Sequence, residues 1–175
     1  MQLKTNNKSG NQSWQVIFDQ LPTNLDMLRA LPQASMQEPH FAAALLIPAL
    51  CLWPTDKDVA IEMINFLKGP QGLSVREIQF ISERLRGKEY VPFSYFAGSS
   101  PENGYGPTKP LTVTVSTVPT SFDEAGYAKL YLQSGGADSP RPVQIRQKES
   151  SGEWFLWDQM LLSDIRIPVS ADPWA

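Results

Sequence analysis

Hydrophobic and polar positions change their rhythm near the middle of the chain, from a helical repeat to strict alternation. In the first half Ala60, Met63, Ile64 and Leu67 recur at helical spacing, with Asp58, Glu62 and Asn65 on the opposite side. Thr55 or Asp56 is placed to cap this helix, and Gly69-Pro70 to end it. Ser74 and Glu77 have the spacing of a capping box that opens the next helix, where Ile78, Ile81 and Leu85 share one face before Gly87. Arg76, Glu83, Arg84 and Arg86 fall on its water-facing side. A shorter helix is predicted from Asn24 to Leu31, capped by Asn24 and stopped by Pro32. Before it, Trp14, Val16 and Phe18 alternate with Gln15 and Ile17, the pattern of a short strand or extended anchor.

Between these elements lies FAAALLIPALCLW, the stretch from Phe41 to Trp53, which carries no charge and no polar group except the Cys51 thiol. It is shorter than the roughly 18 to 20 residues a bilayer span needs, so it reads as the central helix of a core. Glu38 and Pro39 supply an acid and a preset φ at its start. Pro48 removes one hydrogen bond and presses on the carbonyl of Ala44, so a kink or break is predicted there. The only histidine, His40, and the only cysteine, Cys51, stand about three turns apart in or beside this apolar run. A thiolate needs a cationic neighbour, so the pair reads as a small buried hydrophobe and a helix-start histidine, with no catalytic role.

From residue 88 to 110 no period holds. KEYVPFSYFAGSSPENGYGPTKP contains four prolines, with Tyr90, Phe93, Tyr95 and Phe96 early and Tyr105 later. A loop this long is either a binding loop or a strap whose aromatics dock between helices and sheet; the strap is favoured. Beyond it, alternation is strong. Leu111, Val113 and Val115 interleave with Thr112, Thr114 and Ser116, and similar patterns run through 127–132, 143–146 and 154–157. Residues 120–125 form a turn, and GGADSP and ESSG link the last three strands, so an antiparallel meander is expected.

This alternation puts aliphatic residues on one face and gathers Tyr127, Tyr131, Arg146 and either Phe155 or Trp157 on the other. So much aromatic surface calls for a cover. The tail from Leu161, with prolines at 168 and 173 and Trp174 near its end, is suited to lie across it. Self-cover by the tail or the amino-terminal strand is favoured, then a second subunit or another protein, then a small ligand.

Charge and motifs narrow the chemistry. Fifteen Lys and Arg against 18 Asp and Glu leave a net charge of −3, and the excess lies entirely beyond residue 87. No basic stripe is present to neutralise phosphates, which argues against nucleic acid as a partner. Phosphate-binding glycine motifs, metalloprotease and nucleophile-elbow signatures and paired cysteines are all missing, so no cofactor or metal is expected. Asp158 follows Trp157 and reads as a strand-end acid facing solvent. The turn from Ser134 to Pro142 holds two glycines that permit an anion-binding nest, with Asp138 and Arg141 placed to pair; an Asx turn closing a hairpin is the favoured reading. One cysteine forms no internal disulfide, and MQLKTNNKSGNQSW resembles no signal peptide, which makes the cytoplasm the expected compartment and a membrane an unexpected partner.

Several segments together, LPQAS (31–35), DVAIEMINFLKGP (58–70), YVPFSYFAGSSPEN (90–103), GYAKLYLQSGGADSPRPV (126–143), EWFLWDQMLLSDIR (153–166) and the terminal DPWA, resemble a family of bacterial proteins of unknown function. The resemblance runs from about residue 21 to 175 and carries no activity, ligand or catalytic residue with it.

The expected fold is α+β in one domain over residues 14–175: a helical part (24–87) packed on a mostly antiparallel sheet (111–160), joined by the aromatic strap (88–110), with an extended tail (161–175) and a loose start (1–13). The leading functional expectation is a non-catalytic binding or assembly domain. It would meet another protein, or its own copy, through Tyr127, Tyr131, Phe155 and Trp157 or through the strap. The alternative is a small-molecule binder or enzyme whose pocket between helices and sheet is lined by Tyr95, Tyr105, Asp138, Arg141 and Arg146.

Overall fold

The computed structural model describes residues 11–175; most of the stretch expected to be loose, residues 1–10, lies outside the described residues. Among the described residues, four α-helices and five strands follow in order: β1 (Ser13–Phe18), α1 (Leu25–Arg29), α2 (Pro39–Leu52), α3 (Lys57–Lys68), α4 (Val75–Leu85), β2 (Leu111–Ser116), β3 (Tyr127–Leu132), β4 (Arg141–Gln147) and β5 (Trp154–Gln159). The five strands form one sheet in the order β1-β2-β3-β4-β5, with every neighbouring pair antiparallel. The architecture is α+β, helices mostly first and strands mostly last. What the alternation pattern leaves open is where β1 goes: it pairs with β2 from Ser13 opposite Ser116 to Phe18 opposite Leu111, and extends the meander by an edge strand.

The helices begin where side chains can satisfy open amides. Asn24 accepts the Met27 N–H at 2.8 Å, and Asp56 accepts that of Val59 at 3.3 Å. Both arms of the box before α4 form: the Glu77 N–H donates to Ser74 Oγ at 3.1 Å, and the Ser74 N–H donates to Glu77 Oε2 at 2.7 Å. The other oxygen of Glu77 accepts from Lys68 Nζ at 2.9 Å and so ties α4 to α3. Burial would raise the Glu77 pKa, but the Ser74 amide and Lys68 outweigh it and hold the carboxyl below its ordinary value.

The apolar run forms α2 as expected, and the helix continues through Pro48 without a break. All of Ala42, Ala43, Ala44, Leu45, Leu46, Ile47, Ala49 and Leu50 are buried. A helix apolar all round must be enclosed all round. The sheet supplies one wall with Val16, Phe18, Val113, Val115, Ala128, Leu130, Leu132, Val143, Ile145 and Leu156, and α3 supplies Ala60, Met63, Ile64 and Leu67 on another. Truncating one of these large aliphatic side chains to alanine costs about 2 to 5 kcal/mol.

The strap is part of the core. Tyr95, Phe96 and Tyr105 are all buried, Phe96 bridges Val113, and the Ala97 N–H donates to the Thr112 carbonyl at 2.9 Å. The tail also packs inward through Leu161, Leu162 and Ile165. It does not cross the aromatic sheet face. Its main chain runs back over the β3–β4 turn and the strap, with Arg166 N–H donating to the Gly136 carbonyl and Val169 N–H to that of Pro101, both at 2.9 Å.

His40 is sealed at the start of α2, only 3% exposed. Its ring stacks on Trp14 of β1 at 4.2 Å and 4° and meets Phe41 edge-on, and neither ring nitrogen has a hydrogen-bond partner among the described residues. Desolvation lowers its pKa from 6.5 to about 4. The imidazole is therefore neutral when folded at neutral pH, and below pH 6.5 the unfolded chain takes up the proton first. His40 should cost no stability above about pH 6.5 and should remove about 3 kcal/mol as pH falls to about 4. Urea denaturation of the native chain against His40→Phe, which keeps a ring on Trp14, measures this. The two curves should converge near neutrality and separate in acid, and parallel curves would refute the assignment.

Candidate functional site

On the outer face of the sheet, Tyr127 of β3 stands directly opposite Arg146 of β4, which in turn stands opposite Phe155 of β5. A register shift between Gln144 and Ile145 leaves Trp157 as an extra residue on β5. Its ring lies 4.6 Å from the Arg146 guanidinium, and the Tyr127 ring lies 5.6 Å away on another side. The two rings meet edge to face at 6.0 Å. Arg146 is exposed, and among the described residues the ion pairs are Lys68 with Glu77 and Arg166 with Asp138, so its cation rests on aromatic rings alone.

These residues wall a concavity of about 780 Å3. Its other sides are the end of α3 and the turn after it (Lys68, Pro70, Gln71) and the β4–β5 hairpin from Gln147 to Ser150. The turn comes this close because residue 69 is glycine: at φ +67° a Cβ there would lie 2.5 Å from the Phe155 ring. Phe155 and Trp157, alternatives in the sequence, line the same hollow. Tyr131, four residues along β3 from Tyr127 and half-buried, lies on the same side of the sheet outside it. The alternation pattern marks the strand residues but gives no sign of the α3 wall, because Gly69-Pro70 reads only as a helix stop.

The residues expected to line a pocket between helices and sheet have other partners. Tyr95 Oη donates to the Leu161 carbonyl at 2.5 Å, Arg141 Nη2 to the Asp164 carbonyl at 3.0 Å, and Tyr105 Oη to the Arg166 carbonyl. Asp138 pairs with Arg166 at 2.5 Å, where Arg141 was the expected partner. Four of the five thus hold segment 161–166 of the same chain, and Arg146 is the one that reaches the concavity. Desolvation raises both Tyr95 and Tyr105 above the ordinary tyrosine pKa. The glycine turn offers no nest: its amides at 135, 136 and 137 donate to the Ser94 carbonyl, Ser134 Oγ and the Ser134 carbonyl. Ser134 in turn donates to Ser94 Oγ at 2.8 Å.

Cys51 is half-buried as a residue, and desolvation raises its thiol well above the ordinary range, away from reactivity at neutral pH. Asp158 is exposed and accepts the Gln159 N–H at 2.8 Å. Among the described residues no three His, Cys, Asp or Glu gather as a metal site, and no helix is long and apolar enough to cross a membrane.

Residues 20–169 match the family model described as a domain of unknown function, DUF6935. No curated protein and no solved structure matches the chain.

The tail clamp ranks three substitutions by cost. A Cβ at Gly135 would lie 1.8 Å from the Ser99 carbonyl oxygen, which forces main chain to move, so Gly135→Ala should be the most damaging. Tyr105→Phe removes one buried hydrogen bond and should cost about 1 to 2 kcal/mol. Asp138→Ala removes an exposed ion pair and should change stability by less than about 1 kcal/mol. Chemical denaturation of the three variants checks the order, and an Asp138→Ala loss equal to that of Gly135→Ala would overturn it.

Proposed function

The chain belongs to the DUF6935 family of unknown function, and on that premise we propose that it is a non-catalytic binding or assembly domain that receives another protein on its outer sheet face. The observation that carries this reading is the exposed Arg146 guanidinium set against Tyr127 and Trp157 on the wall of an open concavity that neither β1 nor the tail reaches. Aromatic rings and arginine are the side chains that most often anchor protein contacts. The strap offers less contact surface because Tyr95, Phe96 and Tyr105 are spent on the core.

Further support comes from where the reactive groups sit. The imidazole and the thiol are held away from reactivity by desolvation, and the buried tyrosine hydroxyls donate to main-chain carbonyls. A net charge of −3 with no basic stripe favours a protein surface over nucleic acid, and the lone cysteine suits a cytoplasmic setting.

The size of the concavity favours one second reading, a small ligand that brings an anionic group to Arg146. A thermal-shift screen against a metabolite library separates the two, since a ligand at about 100 times its dissociation constant adds about 2.7 kcal/mol of stability. Photocrosslinking tests the first reading directly. A photoreactive amino acid at Trp157 or Tyr131 of the full chain in cells should give discrete heavier adducts, while the same probe at Asp172 on the tail should not. Adducts at twice the chain mass would identify a second copy as the partner. Probes on the sheet face that yield no adduct, together with a ligand found in the thermal screen, would overturn the protein-binding reading.

A further inference from the structure

The concavity on the outer face is only one side of β5. On the other side, between β5 and α4, runs an apolar groove of about 220 Å3 whose floor includes Leu46, Leu50, Ile64 and Ile81. Phe80 of α4 stands at its rim 41% exposed, and Trp157 is 36% exposed on the strand side. β5 is an edge strand, and its outward main chain beside this groove is free only between Trp154 and Gln159, whose N–H donates to Asp158 Oδ1 at 2.8 Å. At its start the Trp154 N–H points outward and donates to the Met36 carbonyl at 2.8 Å. Two residues on, Leu156 faces the same way, and its outward amide has no main-chain partner outside the sheet among the described residues. Edges are ordinarily blunted by proline, by lysine, by a bulge or by a covering segment. β5 has the bulge at Trp157 and the Met36 contact at its start, but WFLWDQ holds no proline or lysine.

We propose that the open edge of β5 takes up an extended segment of another polypeptide as a sixth strand, lying between β5 and α4. This rests on the protein-binding reading above and names its partner class. Only an extended main chain supplies the alternating donors and acceptors that a strand edge leaves unpaired. A strand added there runs about 4.8 Å from β5, and its side chains alternate between the two sides of the sheet. Those directed at the helical layer enter the apolar groove and are aliphatic. Those on the outer side run beside Trp157, over which Arg146 already leans, and Lys148 is exposed on the same wall. With Arg146 free of any carboxylate among the described residues, the outer positions of the partner are acidic. The recognised segment therefore alternates aliphatic and acidic residues.

Selection of a displayed random decapeptide library on the full chain tests this. Enriched sequences should alternate aliphatic and acidic residues, and synthetic copies should bind at least about tenfold more weakly to Phe80→Asp and to Arg146→Glu, both changes at exposed positions. Lysine in place of the peptide's acidic residues should restore binding to Arg146→Glu. N-methylation of alternate peptide residues should abolish binding in one register and be tolerated in the other, which a helical or irregular ligand would not show. The absence of enriched peptides, or affinities unmoved by either variant or by methylation, would overturn strand addition. Adducts at Trp157 with no edge-dependent peptide would sink this inference and leave the face reading standing. A chain that self-associates through this edge and enriches no peptide would assign the groove to a second copy.

Discussion

Everything in this protein is arranged around a helix with no polar side. α2 buries eleven of its fourteen residues, so it cannot rest on the surface of a layer and must be wrapped. The sheet, α3, the turn before α2 and the aromatic strap each cover part of it. Closing a shell of that kind explains why the strap is long: it must cross from the end of α4 to the start of β2 while filling space with Tyr95 and Phe96. It also explains why the imidazole and the thiol are both desolvated, because both lie on this helix.

The polar groups of the strap and of the β3–β4 turn are used in the same way. Tyr95, Arg141 and Tyr105 donate to the carbonyls of Leu161, Asp164 and Arg166 after β5, while Ser134 Oγ accepts the Gly136 N–H and donates to Ser94 Oγ, which donates to the Val91 carbonyl. Among the described residues, two of the three non-glycine residues with positive φ, Tyr105 and Asp164, belong to this clamp. Such backbone costs on the order of 1 to 3 kcal/mol and persists where surrounding contacts fix it. Tyr95, Tyr105, Arg141 and Asp138 thus fasten the segment after β5 to the rest of the fold.

Arg146 differs from these groups because it fastens nothing to the core. Exposed cation–ring contacts contribute only about 0.5 to 1 kcal/mol, so the Tyr127, Arg146 and Trp157 cluster is a minor element of stability. It holds a guanidinium in one orientation beside an open concavity and the edge strand of the sheet. The bulge on β5 that frees Trp157 from the ladder makes that placement possible.

The sequence by itself determined the elements and their faces. Capping residues marked α1, α3 and α4, the uncharged run marked α2, and alternation marked all five strands, since each of these signals is local and follows from the period of the backbone. It also determined that Tyr127, Tyr131, Arg146 and one of Phe155 and Trp157 share a side of the sheet. Tertiary structure alone decided that β1 pairs with β2, that the tail turns back over the strap, that Asp138 meets Arg166, and that the end of α3 approaches Phe155 closely enough to require glycine. Those outcomes depend on which distant segments meet, and a pairing between residues far apart in the chain leaves no periodic trace in either one.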